Sequence, residues 1–317
     1  MIPVLGARDV FSAVAPERAV EAVRDAFVAY ASGEWTMPPK VYVHAYPAGD
    51  FRAMPALGAG HALLKWVTSF PGNPARGLPT VTGLVLLSDA GDGSLVAVFD
   101  AAAVTALRTG AAAVLAAEAL GRTDASTAAV IGAGVNGRAV ARTFAARGRE
   151  PLVWDIDPER AAAAALESGG RVASSREEAL GADLVVTVTP GNEILLPAGG
   201  LRPGQHVSLV GADGPGKAEI AAEELARIKV FCDDWEQASH SGDLVHAVEA
   251  GLLGRREVTE LGAVLAGTAP GRERDDEITA FDSTGLAIQD LAVALVAIER
   301  YRAAPAEFED AGAISLG

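Results

Sequence analysis

From residue 16 to 30, apolar positions recur at helical spacing, with Ala19, Val20, Val23, Phe27 and Val28 on one stripe. Short apolar or alternating runs then predict strands at 40–44, 62–67, 81–87 and 94–99. The turn-rich stretches PGNPARG and DAGDG punctuate them. Asp100 suits the N-cap of an Ala-rich helix, and Thr109-Gly110 reads as a break before a second helical stretch to about residue 120. From Ser126 the texture changes. Strand-like runs at 127–131, 151–154, 184–188 and 206–210 alternate with Ala-rich helical runs at 137–146, 158–167 and 177–180, and 230–232 reads as a further strand. Regular alternation of this kind predicts a Rossmann-type doubly wound parallel sheet. A helical pattern over 285–301 precedes a polar tail, and on pattern alone it could belong to either half.

Composition narrows the class. Half of the 317 residues are hydrophobic and 21% are charged, as in globular proteins. A formal charge of −15 argues against nucleic-acid or anionic-membrane partners, because phosphate is repelled overall. No apolar run is read as approaching a bilayer span, and the start lacks the cationic and long apolar segments of a signal peptide. With a single cysteine, Cys232, no internal disulfide can form, and a cytoplasmic setting is expected. The five histidines show no metal-ligand spacing, so no metal is expected.

The run TAAVIGAGVNGRAVARTFAARG places Gly132, Gly134 and Gly137 between an apolar strand and a helix. The first glycine permits a tight turn, the second lets backbone approach a pyrophosphate, and the third lets helix and strand pack closely. The helix N-terminus supplies free N–H groups and partial positive charge. Asp155, ending the next strand, is placed to accept from ribose hydroxyls, and its charge favours NAD over NADP. Asp157 is a second candidate for the ribose, and Arg160 leaves NADP open. Thr189-Pro190, at another strand end, could face the nicotinamide or simply end the strand.

Charges inside apolar segments mark a second site. Lys65 in HALLKWV and Arg108 in AAAVTALRTGAAAVLA need an anion or water. Lys40 and Arg52 lie near in sequence and read equally well as surface side chains. Together these cations suggest a pocket for an anionic ligand, with the guanidinium fork suited to a carboxylate. Asp213 lies just past a predicted strand end, where a carboxylate could act as general acid or base. Asp before Gly also stabilises turns, and taken alone that is the better reading.

Segments along nearly the whole chain then carry a resemblance: MPPK (37–40), DFRAMPA (50–56), LLKWV (63–67), GLPT (77–80), TALRTGAA (105–112), IGAGVNG (131–137), VGADGPGK (210–217), DDWEQ (233–237) and DSTGLAIQDLA (282–292). The chain resembles the ornithine cyclodeaminase/mu-crystallin family, and within it looks like the archaeal-type alanine dehydrogenases. The resemblance implies that Lys65 and Arg108 hold a substrate carboxylate, with Lys65 also catalytic, and that Asp213 is the acid–base residue. It implies NAD contacts at Thr80, Val135, Asn136, Asp155, Thr189 and Ser283, alongside Gly132, Gly134 and Gly137. Arg108, Val207 and Leu209 join that cofactor set, and Lys40, Arg52 and Thr284 the substrate set. The implied architecture is an α+β substrate and dimerisation domain (1–125 with 286–317) and an NAD-binding domain (126–285), in a homodimer. The implied activity is NAD-dependent oxidative deamination of a small L-amino acid through an imine. Arg52, if it faces the pocket, disfavours a cationic ornithine side chain. Ornithine cyclodeamination, cyclic ketimine reduction and non-catalytic NAD(P)H binding are the alternatives.

Overall fold

Strand parity organises the N-terminal part of the chain. In the computed structural model, which describes every residue except Asn192, Asp213, Pro215, Glu309, Leu316 and Gly317, two compact units are present. Unit 1 comprises Met1–Arg108 and Leu286–Gly317. Its strands are β1 (Ile2–Leu5), β2 (Val41–Ala45), β3 (Gly49–Gly58), β4 (His61–Ser69), β5 (Val81–Asp89) and β6 (Leu95–Asp100). They form one sheet in the order β1-β6-β5-β4-β3-β2, with the C-terminal strand Gly312–Ile314 beside β1. β1 and β6 run parallel and the other pairs antiparallel. Cross-strand rows alternate between the two faces. One row is Val41, Ala53, Trp66 and Leu84; an adjacent row, on the opposite face, brings Met54, Lys65 and Val85 together. The helix Ala287–Ala303 packs on β3, β4, β5 and the helix Pro16–Ala31.

Unit 2, Thr109–Gly285, holds an all-parallel sheet. Its strands are β7 (Ala128–Ile131), β8 (Pro151–Trp154), β9 (Arg171–Val172), β10 (Leu184–Thr187), β11 (His206–Leu209), β12 (Lys229–Cys232), β13 (Val258–Glu260) and β14 (Thr279–Asp282). The order is β13-β12-β14-β11-β10-β7-β8-β9, so strand order reverses between β7 and β10, the switch point where such sheets bind ligands. Strands β7, β10 and β11 are buried throughout; β7 is an unbroken apolar run, β10 is apolar up to Thr187, and β11 buries His206 and Ser208, which bond to each other and to Thr279 and the Ala113 carbonyl.

Several expectations need correction. β3, ten residues long and one strand in from the sheet edge, is not among the expected strands; Pro55 interrupts a strand pattern, and it lies beyond the Gly49–Ala53 stretch that β2 pairs. The helix Ala101–Leu120 runs unbroken through Thr109-Gly110. Gly110 serves close approach instead: a Cβ there would lie 2.8 Å from Thr143 Oγ1 and 2.9 Å from the Ala139 carbonyl oxygen. The expectation of no membrane-length run also fails for this helix, which is long and apolar enough to span a bilayer, yet 78% of its apolar window is buried as in a core helix. Separately from these corrections, packing divides the chain into its two units at Arg108/Thr109, inside that helix. Periodicity marks where strands begin, not where packing changes partners.

Candidate active site

In unit 1, the alternation of β4 turns Leu63, Lys65 and Val67 inward and Leu64 and Trp66 outward. Lys65 is thereby an ammonium with 2% of its surface exposed. It donates to Asp290 Oδ1 at 3.0 Å, and Asp290, in the first turn of the helix Ala287–Ala303, is fully buried. Arg108, from the helix Ala101–Leu120, places Nε 3.5 Å from the same oxygen and donates from Nη1 to Gln289 Oε1 at 3.4 Å. Among the described residues, Arg108 Nε and Asp290 Oδ2 have no hydrogen-bond partner. Burial lowers the Lys65 pKa to about 8; Asp290 opposes that shift, while Arg108 and Arg52 add to it. The cluster carries two positive charges against one negative, an arrangement that favours an anionic ligand.

The other unit 1 candidates are less committed. Arg52 lies on the same sheet face, but its Nε donates to Asp50 Oδ1 at 2.7 Å and its guanidinium sits 5.5 Å from the Tyr42 ring. Lys40 is half-buried just ahead of β2. Thr80, before β5, accepts the Phe70 N–H at its carbonyl. Asp290 was missed in sequence, although an acid inside AIQDLAVALVAI is as anomalous as Lys65 in HALLKWV. Attention to buried cations alone hid their partner.

In unit 2, the glycine turn sits at the switch point. Gly132 adopts φ 103°, and a Cβ there would lie 2.7 Å from the Val188 carbonyl oxygen. Gly137 is more constrained still, since its Cβ would lie 1.8 Å from the Gly132 oxygen. Gly134 by contrast faces open space and caps the helix Val135–Ala146 with no side-chain bond, leaving first-turn N–H groups of Val135 and Asn136 for an anion. Asp155 fastens this turn: Oδ2 accepts from Ala133 N at 2.6 Å and Oδ1 from Asp157 N at 2.8 Å. Each carboxylate oxygen retains a second lone pair for a ribose hydroxyl. Asp157 caps the next helix and pairs with Arg160.

Behind the strand ends lies a set of buried acids that the sequence reading did not single out. Glu219 accepts from Thr189 N and Oγ1, Thr187 Oγ1 and Gly211 N. Asp243 Oδ1 accepts from Glu219 N at 2.6 Å and Ile220 N at 3.1 Å, and its Oδ2 has no partner among the described residues. Asp282 Oδ2 accepts from Leu244 N, and Asp233 gathers the Ser283 and Thr284 hydroxyls and the Gly285 N–H. Burial raises the pKa of Asp243 to about 7, with the Glu219 charge adding to it; burial, then Asp243, raises Asp282 well above the carboxylate range. Thr189, Ser283 and Thr284 are therefore held by carboxylates. Val207 and Leu209 lie fully buried in the core of this unit. Asp213 lies outside the described residues. Among the described residues, no group of His, Cys, Asp or Glu is arranged to hold a metal.

The family model for "Ornithine cyclodeaminase/mu-crystallin family" matches residues 3–304. The chain belongs to this family. Among its members, alanine dehydrogenase of Archaeoglobus fulgidus is 43% identical over 305 residues, covering 93% of this chain and 94% of that protein. The family fold is shared with the solved structure of an archaeal alanine dehydrogenase dimer with bound NAD (TM-score 0.91, 40% identity, 96% of this chain and 97% of that one). It is shared also with Thermococcus litoralis Delta(1)-pyrroline-2-carboxylate reductase in complex with NADH and L-proline (TM-score 0.89, 29% identity, 96% and 98%).

Proposed function

We propose that the chain is an NAD-dependent oxidoreductase that deaminates a small L-amino acid to a 2-oxo acid and ammonia. The observation that carries this reading is the buried Lys65–Arg108 pair sharing one carboxylate, a net cationic grip for the substrate carboxylate. The turn fits NAD: the open space over Gly134 admits a pyrophosphate, uncapped N–H groups face it, and Asp155 supplies ribose acceptors and repels a 2′-phosphate. When bound, NAD accepts the hydride from the substrate Cα. Lys65 and Arg108 orient the carboxylate, and Asp213 manages the proton as water adds to the iminium carbon. Unit 1 is the substrate domain and unit 2 the cofactor domain. The relatives named above support the oxidoreductase reading: one is an alanine dehydrogenase solved with bound NAD, another a reductase solved with NADH and L-proline.

We assign a homodimer through the outer face of the unit 1 sheet, where Val41, Leu64, Trp66 and Leu84 are exposed apolar side chains on neighbouring strands. The test of function is incubation with NAD and a panel of amino acids. Net NADH with L-alanine or a similar neutral amino acid is expected. Proline from ornithine without net NADH would make it a cyclodeaminase, and cofactor binding without turnover of amino acids or cyclic imines would make it a binder.

A further inference from the structure

Two buried cations pointing at one place repel each other, so something must fix their directions. Lys65 comes from β4 and Arg108 from the middle of a helix, and neither side chain is rigid by itself. Both are drawn to a single atom, Asp290 Oδ1, at 3.0 and 3.5 Å. Gln289, the preceding residue, takes Arg108 Nη1 on its amide oxygen while that oxygen also accepts the Leu286 N–H of the helix cap. One helical turn thus presents two acceptors that hold both cations, and its N-terminal position favours the carboxylate charge.

We infer that Asp290 is the positioning residue of the carboxylate grip: by taking Lys65 and Arg108 on one oxygen it aims both and leaves one positive charge uncompensated for the ligand. This inference rests on the reading of the cluster as a carboxylate site. The charged groups facing Lys65 are Asp290 from the C-terminal helix, Arg108 from the long helix and Arg52 from β3. Asp290 is the one anion among them, so it alone keeps the buried ammonium protonated against desolvation and two neighbouring guanidiniums. The Lys65 pKa, lowered to about 8, makes the grip titratable: above that value the uncompensated charge is lost and with it the hold on a carboxylate.

The experiment uses propionate, a carboxylate with no amino group, whose binding is followed by calorimetry as a function of pH, with and without NAD. Wild-type affinity is expected to fall about tenfold per pH unit above about 8. In Asp290→Asn the fall should begin about 1 to 3 pH units lower, because Lys65 has lost its counter-charge. Asp290→Glu keeps the charge but displaces it by one methylene. It should bind propionate more weakly at every pH while its fall stays near the wild-type position. A flat wild-type profile, an unmoved fall in Asp290→Asn, or wild-type affinity in Asp290→Glu overturns the inference. Should Asp290→Asn not fold by circular dichroism, the wild-type profile and Asp290→Glu still decide it. Propionate binding of the expected form in a protein that turns over no amino acid would discard the dehydrogenase reading and leave this role intact.

Discussion

Asp243→Asn tests the buried acids of unit 2. The wild-type carboxyl is fully buried, its Oδ1 accepts two backbone N–H groups and its Oδ2 has no partner among the described residues. Its pKa is raised from 3.8 to about 7, first by burial and then by Glu219. A shift of roughly three units is worth on the order of 4 kcal/mol between the two protonation states. The sign follows from proton counting. Between about pH 4 and 7 the folded chain holds a proton that the unfolded chain has released, so stability falls as pH rises through that window and levels off above it. Asparagine offers the same amide-oxygen acceptor and has no charge to bury. Its NH2 group, in place of Oδ2, costs about 1–3 kcal/mol if it finds no acceptor. The variant should match or fall slightly below wild type near pH 5 and exceed it by about 1–3 kcal/mol at pH 8, or roughly 2–10 °C in Tm. Parallel thermal melts at several pH values read the difference directly, without assuming that two units unfold as one. A Tm difference that stays constant from pH 5 to 8 refutes the reasoning.

Gly137→Ala puts a methyl 1.8 Å from the Gly132 oxygen, so the turn must open. Calorimetry should show weaker NAD binding, or melting a lower Tm, by on the order of 1–3 kcal/mol. Asp155→Ser removes the charge proposed to face the ribose and the acceptors of the Ala133 and Asp157 N–H groups. Fluorescence titrations should show NAD weakened by about 1–3 kcal/mol and the preference over NADP narrowed. Leu84→Glu buries a charge if the outer sheet face is an interface, and sedimentation should then show monomer where wild type is dimeric.

The parallel sheet was legible because its strands, covered on both faces, are written as plain apolar runs such as AAVI and LVVT, spaced by Ala-rich helices. The glycine turn was legible because each glycine answers a local backbone demand. What escaped depended on distant partners. β3 hides Pro55 in the middle of a strand whose value lies in the rows it makes with β2 and β4. Gly110 reads as a helix break until the helix Val135–Ala146 is seen to lie against it. Lys65 was conspicuous, but its acid lies 225 residues away in sequence. Glu219 and Asp243 stand in polar, glycine-containing stretches, GADGPGKAEI and SHSGDLV, and only the fold buries them.

The two faces of the β3–β4–β5 ribbon have different surroundings, and which residue meets which is set purely by odd and even position. Lys65 and Trp66 are neighbours in sequence yet stand on opposite faces, one buried and one exposed. Inserting or deleting one residue within β4 would therefore exchange the two sides downstream, sending an indole toward the acid on the C-terminal helix and an ammonium toward the outside. Point changes at either face can be absorbed one at a time, but length changes here cannot. Any drift in chain length among related sequences should be confined to the hairpin turns, and alignments of this region should be free of gaps.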